Sequence, residues 1–322
     1  MRVVTWNVEN LFTPSTTGEP DRPSQEVYAA KLRTLTDVVA RLDPQVLALQ
    51  EVGDERALDD LRETLESATA GGWVSRCSRE PDGRGIRVAF LTTLDVLETD
   101  DVTALPPGLA PVQVDDAGRT TDRMGRGALR IRVQGGLGPV DVVTAHLKSK
   151  LLSYPGGRFA PRDEVERARA GAFALFRRAA EAAALRVAVD DVLRGRGREQ
   201  AVVVCGDLND TVEAATTQLL QGPGGSELGT AGALVPDQGD AHRLWNVAPL
   251  IDDHRRFSRV YRGRGELIDH VLVSRALLER VQLADSAVDA TGAPLDSVTE
   301  DPRPRVRTPG SDHAPVLVDL DW

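Results

Sequence analysis

The 322-residue chain is expected to adopt an α/β fold, and three observations carry that expectation. Short runs rich in Val, Ile and Leu recur at 2–8, 45–50, 85–92, 128–134, 140–146, 201–206, 267–273 and 314–320. Several of them alternate, as Ala128-Leu129-Arg130-Ile131-Arg132-Val133 does, with the period of a half-buried strand. Stretches with helical spacing stand between the runs. Polar residues of chemical interest end several runs and come from both halves of the chain, so the halves must meet. That favours one domain over residues 1–322.

The helices follow in order. Residues 26–42 place Val27, Ala30, Leu35, Val38, Val39 and Leu42 at helix-compatible spacing, and Asp43-Pro44 stops them. Residues 54–68 form a second candidate. The third and longest spans 163–194, with Asp163 and Glu164 in its first turn and Gly195 beyond its end. Loops rich in Gly, Pro, Asp or Thr are expected at 13–24, 104–124, 222–246 and 290–312.

Apolar residues make up 41% of the chain, enough for a sizeable core, yet no apolar run approaches the roughly 20 residues that span a bilayer. The start, Met1-Arg2-Val3-Val4-Thr5-Trp6, reads as a strand and lacks a signal-peptide pattern. Cys77 and Cys205 are far apart, and Cys205 sits inside an apolar run as a buried thiol would. A reduced, cytoplasmic monomer is the default expectation. The net charge of −10 argues against a nucleic-acid partner, since phosphate binding needs Lys and Arg. The charge is uneven, however. Residues 119–178 carry 13 Lys and Arg against 5 Asp and Glu, and 254–264 hold five arginines and no acid. Tyr154, Phe159, Phe257 and Tyr261 lie among them, an interleaving suited to stacking bases beside phosphates. Solvated arginines are the plainer reading; a polyanion-binding face weighs modestly above it.

The chemistry sits at the strand ends. Asn7 closes Val3-Val4-Thr5-Trp6-Asn7 and Glu51 closes Val46-Leu47-Ala48-Leu49-Gln50-Glu51. Asp207 and Asn209 close Val202-Val203-Val204-Cys205-Gly206-Asp207-Leu208-Asn209, where the glycine permits a sharp turn and alternation puts both polar side chains on one face. His146 ends the run 140–145, Asp269 follows Leu267-Ile268, and Asp312-His313 precede the last run. A core strand gains nothing from ending in carboxylates and carboxamides. A metal-dependent phosphoester hydrolase needs them, as hard oxygen ligands for Mg²⁺ or Mn²⁺ together with a His that handles a proton. Each residue alone could cap a turn; the set together reads as a site.

These segments, in this order from Asn7 to His313, resemble the endonuclease/exonuclease/phosphatase family, which includes pancreatic-type deoxyribonucleases and apurinic endonucleases. The resemblance implies a four-layer α-β-β-α sandwich, two packed mixed β-sheets with outer helices. It makes Glu51 the metal ligand, Asn7 a ligand or its positioner, and Asp312 a ligand of the same ion or of a second. Glu9 is either a ligand or a support. The resemblance also pairs Asp269 with His313 and sets His146 on the other side of the phosphate. Asp207 or His313 orients the attacking water and Asn209 bonds a phosphoryl oxygen. Arg126 occupies a phosphate-contacting position, although Gly127-Ala128 stands where relatives commonly carry a proline. Lys148, Lys150, Arg84 and Arg87 are further phosphate candidates, and His270 points away as a bystander. The leading expectation is a metal-dependent nuclease acting on DNA or RNA. A small-molecule phosphoesterase, which suits the acidic charge, and a non-catalytic scaffold are the rivals.

Overall fold

Along the strand Arg2–Leu11, alternate residues enter two different cores: Val3 joins one shared by two sheets, and Val4 and Trp6 join another beneath helices. This period of two, repeated in every inner strand, builds the architecture of the computed structural model. Described are residues 1–15, 22–152, 154, 156, 158, 160–233, 235–299 and 308–322; Phe159 and parts of the loops at 13–24 and 290–312 lie outside them.

The first six-stranded sheet has the order Val281–Ser286, Val316–Leu320, Arg2–Leu11, Val46–Val52, Arg87–Thr92, Val74–Cys77. The second has the order Leu244–Asn246, Asp269–Ser274, Val202–Asp207, Pro139–His146, Arg123–Gln134, Val96–Ala104. In each, one central pair is parallel and its other pairs antiparallel. A parallel pair needs a crossover, and long helices supply it. Gln25–Leu42 joins Arg2–Leu11 to Val46–Val52, and Glu164–Leu193 joins Pro139–His146 to Val202–Asp207.

Val3, Ala48 and Phe90 of the first sheet meet Ile131, Val142, Val203 and Val271 of the second in one core. Leu35, Val38, Leu58, Leu61 and Leu65 of Gln25–Leu42 and Glu55–Ala68 cover the outer face of the first sheet. Leu185, Val189 and Leu193 cover that of the second. The result is the expected four-layer sandwich. Helix starts fall within a residue of expectation because Ser24, Asp54 and Asp163 each accept a backbone N–H three residues on.

All eight inner strands correspond to the apolar runs. The four edges, Val74–Cys77, Val96–Ala104, Leu244–Asn246 and Val281–Ser286, do not, nor do the short strands Arg259–Tyr261, Arg264–Glu266 and Ser297–Val298 of a third small sheet. Among the described residues no helix is long and apolar enough to cross a membrane. Cys77 and Cys205 are both free, and burial pushes each thiol up to about 12.

Candidate active site

The inner face between the sheets changes character along the central strands. Val3, Val142 and Val203 are core; one step on, Gln50 Nε2 donates to Thr5 Oγ1 at 3.0 Å and Thr144 Oγ1 at 2.9 Å. The next positions in the same alternation are Asn7, His146 and Asp207. The crossovers therefore bring the C-terminal ends of four strands together above a polar floor. Asn7 Nδ2 spans the sheets, donating to Asp207 Oδ2 at 3.0 Å and Glu51 Oε1 at 3.3 Å.

Glu51 breaks the alternation. Following the buried, inward-facing Gln50, it ought to face the helices. Instead the pairing with the neighbouring strand skips it, Gln50 opposing Val88 and Val52 opposing Arg87, and its φ of 63° turns the side chain back to Asn7. Glu9, Asn10 and Asn209 also hold positive φ, at 51°, 53° and 55°. Non-glycine residues in this region are costly and gather at functional sites. Gly206 has a different reason: a Cβ there would fall 2.0 Å from the Ala145 carbonyl oxygen on the adjacent parallel strand.

Asp207 Oδ2 lies 3.2 Å from His146 Nε2 as well as accepting from Asn7, and its Oδ1 accepts from the Asn209 backbone N–H at 2.9 Å. Burial pushes its carboxyl up, but the charge and hydrogen bond of His146, the field of His313 and the Asn7 bond hold it well below the usual carboxylate range. Glu51 is likewise raised by burial and lowered further by His146, Arg126 and Arg84, for a net fall. His313 Nδ1 meets Asp269 Oδ2 at 2.6 Å, and Ser258 Oγ donates to the same oxygen at 2.7 Å. Burial lowers the His313 imidazolium, yet Asp269, Asp312 and Asp207 drive it up to about 10. Ser258 Oγ also accepts from the Ile268 and Asp269 backbone, so it fixes Asp269 from two directions.

Ligand atoms of Asp207, Asp269 and His313 lie within 4.8 Å of one another. Since His313 and Asp269 are committed to each other, this triad suits proton handling better than metal binding. Further hard oxygen donors adjoin it: Glu51, held by Asn7 and by the Asn10 N–H at 3.1 Å, and Asp312, whose Oδ1 lies 3.9 Å from His313 Nε2 and whose N–H donates to Glu9 Oε2 at 3.3 Å. Carboxylate oxygens of this kind fit a divalent cation of the Mg²⁺ or Mn²⁺ class.

The structure thus brings together Asn7, Glu51, His146, Asp207, Asn209, Asp269, Asp312 and His313. Asn209 Nδ2 donates to the Leu147 carbonyl at 3.1 Å, and Arg126 Nη1 reaches the same oxygen at 3.2 Å. Arg126 therefore stands at the margin, also paired with Asp82. Lys148 is not brought in: its Nζ donates to the Ser149 and Leu151 carbonyls, and burial with Arg126 and Arg177 nearby lowers it to about 8. Arg87 turns to the Gly53 and Gly85 carbonyls, away from the cluster. His270 is a buried bystander between Asn246 and the Asp210 carbonyl. Ser258 escaped the sequence reading, which held no signal for it.

Many residues of the two basic stretches have acidic or carbonyl partners. Arg255 makes paired contacts with Asp285 and Asp289, and Arg256 donates to the Ala248 and Ile251 carbonyls. Arg259 lies 3.5 Å from Asp312. In the other stretch Arg130 and Arg132 share Asp141, Arg158 pairs with Glu166, Arg177 with Glu181, and Arg178 and Lys150 with Asp210. Asp141 and Glu166 lie within the stretch itself and Glu181 just beyond it, whereas Asp210 and Asp285 come from further along the chain.

The family model of the Endonuclease/Exonuclease/phosphatase family matches residues 4–313. No curated protein matches the sequence significantly. Among solved structures, the fold is similar to an AP endonuclease from Archaeoglobus fulgidus (14% identity, all of both chains, TM-score 0.54). It is also similar to a mannosyl-6-phosphatase from Bacteroides thetaiotaomicron (16%, all of both chains, 0.56). The human Nocturnin catalytic domain is a third (13%, 100% of this chain and 94% of that one, 0.57). At these identities the likeness concerns the fold alone. With its family model spanning nearly the whole chain and the motif residues gathered at one end of two packed sheets, this protein belongs to the Endonuclease/Exonuclease/phosphatase family.

Proposed function

We propose that the protein is a divalent-metal-dependent phosphoesterase whose hydrolytic centre is Asp207. The observation that carries this reading is the convergence on Asp207: Asn7 at 3.0 Å, His146 at 3.2 Å and the His313–Asp269 pair close by. An anionic carboxylate so placed accepts a proton from a water and aims it in line at phosphorus. His313, held charged by Asp269, donates to a phosphoryl oxygen as charge develops there. His146 and Asn209 face the same region from the strands ending at 146 and 207. Glu51, positioned by Asn7, and Asp312 would hold a divalent cation, which would supply Lewis-acid polarisation of the phosphate.

Of the two substrate classes, a small phosphoester has the better support. The arginines that would track a polynucleotide are paired with Asp and Glu, and the net charge of −10 opposes a long polyanion. A nuclease acting on DNA or RNA is the second reading, favoured by the margin arginines Arg84 and Arg126 beside Glu51. Assays with Mg²⁺ on a chromogenic phosphodiester, a phosphomonoester and single- and double-stranded DNA, at about 50 and 200 mM salt, separate them. Turnover of the small ester with little salt dependence is the expected result. DNA cleavage that falls steeply with salt, with no small-ester turnover, would reverse the assignment.

A further inference from the structure

The helix Glu164–Leu193 covers the second sheet with Leu185, Val189 and Leu193, but earlier along it buries two charges, Arg178 and Glu181. A charge in a covering face is destabilising unless its bonds are made. Here they are made to groups that flank the candidate active site. Glu181 Oε2 accepts the Lys148 N–H at 2.6 Å, and its Oε1 accepts the Gly125 N–H at 2.9 Å and Arg177 Nε at 3.0 Å. Arg178 Nη1 donates to the Lys148 carbonyl at 3.1 Å and its Nε to Asp210 Oδ2 at 3.0 Å. Residues three apart on a helix share a face, so the pair grips both backbone groups of Lys148 at once.

The gripped groups adjoin residues that face the phosphate in the reading above. Gly125 precedes Arg126, Lys148 stands two residues past His146, and Asp210 follows Asn209. Between them, the Leu147 carbonyl accepts from both Asn209 Nδ2 and Arg126 Nη1, and the Leu147 N–H donates to the Asp207 carbonyl at 3.0 Å. We infer that Glu181 and Arg178 are positioning residues: by fixing the Leu147–Lys148 backbone they set the spacing of Asn209 and Arg126, and so the grip on the phosphoryl group. The consequence for turnover rests on the phosphoesterase reading. A pair that only held the helix to the sheet would, when broken, loosen the fold as a whole.

The test compares the parent, Glu181→Gln and, as a control for general destabilisation, Arg255→Ala. Glu181→Gln keeps the side-chain volume but turns one oxygen into an N–H₂ donor, so either Gly125 or Lys148 loses its acceptor. Amide hydrogen exchange is expected to quicken about tenfold or more over 123–127 or 146–150 in Glu181→Gln alone, with the rest of the chain unchanged. With Mg²⁺ and a chromogenic phosphodiester, KM should rise about fivefold or more while the pH–rate profile stays in place. Exchange that is unchanged, or that quickens over the whole chain, would overturn the inference. So would a fall in kcat with KM unmoved, the sign of a smaller folded fraction. Should Glu181→Gln fail to fold, Arg178→Lys, which keeps the charge but cannot hold Asp210 and the Lys148 carbonyl together, undergoes the same two measurements, with exchange read over 146–150 and 208–212. A parent that turns over no phosphoester would count against the phosphoesterase reading, and the exchange arm then decides whether Glu181 fixes this backbone.

Discussion

His313 Nδ1 lies 2.6 Å from Asp269 Oδ2, and both side chains are buried. The pair makes His313 a proton donor at neutral pH, because the carboxylates of Asp269, Asp312 and Asp207 outweigh burial and bring it up to about 10. The sign follows from linkage. A histidine whose folded pKa exceeds its unfolded value contributes stability in full below the unfolded value near 6.5, and loses it as pH rises through about 10. Asp269→Asn removes the nearest negative charge and should lower the His313 pKa by about 1–3 units, drawing the alkaline limb of the pH–rate profile down with it. Imidazole NMR titration of parent and variant checks this. An unmoved His313 resonance would break the pairing.

Ser258 acts on that pair from behind. Removing its hydroxyl leaves Asp269 Oδ2 without one donor and two backbone N–H groups without an acceptor. A hydrogen bond to a charged group is worth about 1.5–3 kcal/mol, so Ser258→Ala should lower kcat about tenfold or more. Steady-state kinetics beside a far-ultraviolet dichroism spectrum would separate that loss from unfolding.

Much of the fold is legible in the sequence, because all eight inner strands are apolar runs and the three long helices carry caps. The four edge strands are not: Val74–Cys77, Val96–Ala104 and Val281–Ser286 bury less, and Leu244–Asn246 is buried but only three residues long. In Val96–Ala104 the polar residues Glu98 and Asp100 are exposed and pair with Arg130 on the next strand. Site membership of Asn7, His146 and Asp207 follows from alternation. That of Glu51 contradicts alternation and depends on a bulge that the sequence does not announce. The partners of the basic residues are not all legible in the charge pattern, because Arg255 finds its acids 30 and 34 residues away.

Arg255 and Arg256 should therefore behave as structural residues. The substitution Arg255→Ala breaks paired contacts to Asp285 and Asp289 whose side chains are partly exposed, and should lower Tm by about 1–4 °C. The salt dependence of turnover should stay that of the parent. A flatter salt dependence with unchanged Tm would return these arginines to substrate binding.

At Gly206 the neighbouring strand leaves no room for a side chain. Gly206→Ala would drive a methyl group into the Ala145 carbonyl and force Asp207 away from His146. Loss of about 2 kcal/mol or more in urea unfolding is expected, along with loss of activity. Full activity in that variant would show that Asp207 need not sit against the neighbouring strand.

The central claim is that Asp207 handles the proton of the attacking water at a metal-dependent site. Initial rates on a chromogenic phosphodiester, with Mg²⁺ and with EDTA, for the parent and for Asp207→Asn test it most directly. The expected result is Mg²⁺-dependent turnover by the parent, abolished by EDTA, and a loss of about 10²–10⁴-fold in Asp207→Asn with the fold retained. Parent-like turnover by Asp207→Asn, or turnover indifferent to EDTA, would contradict it.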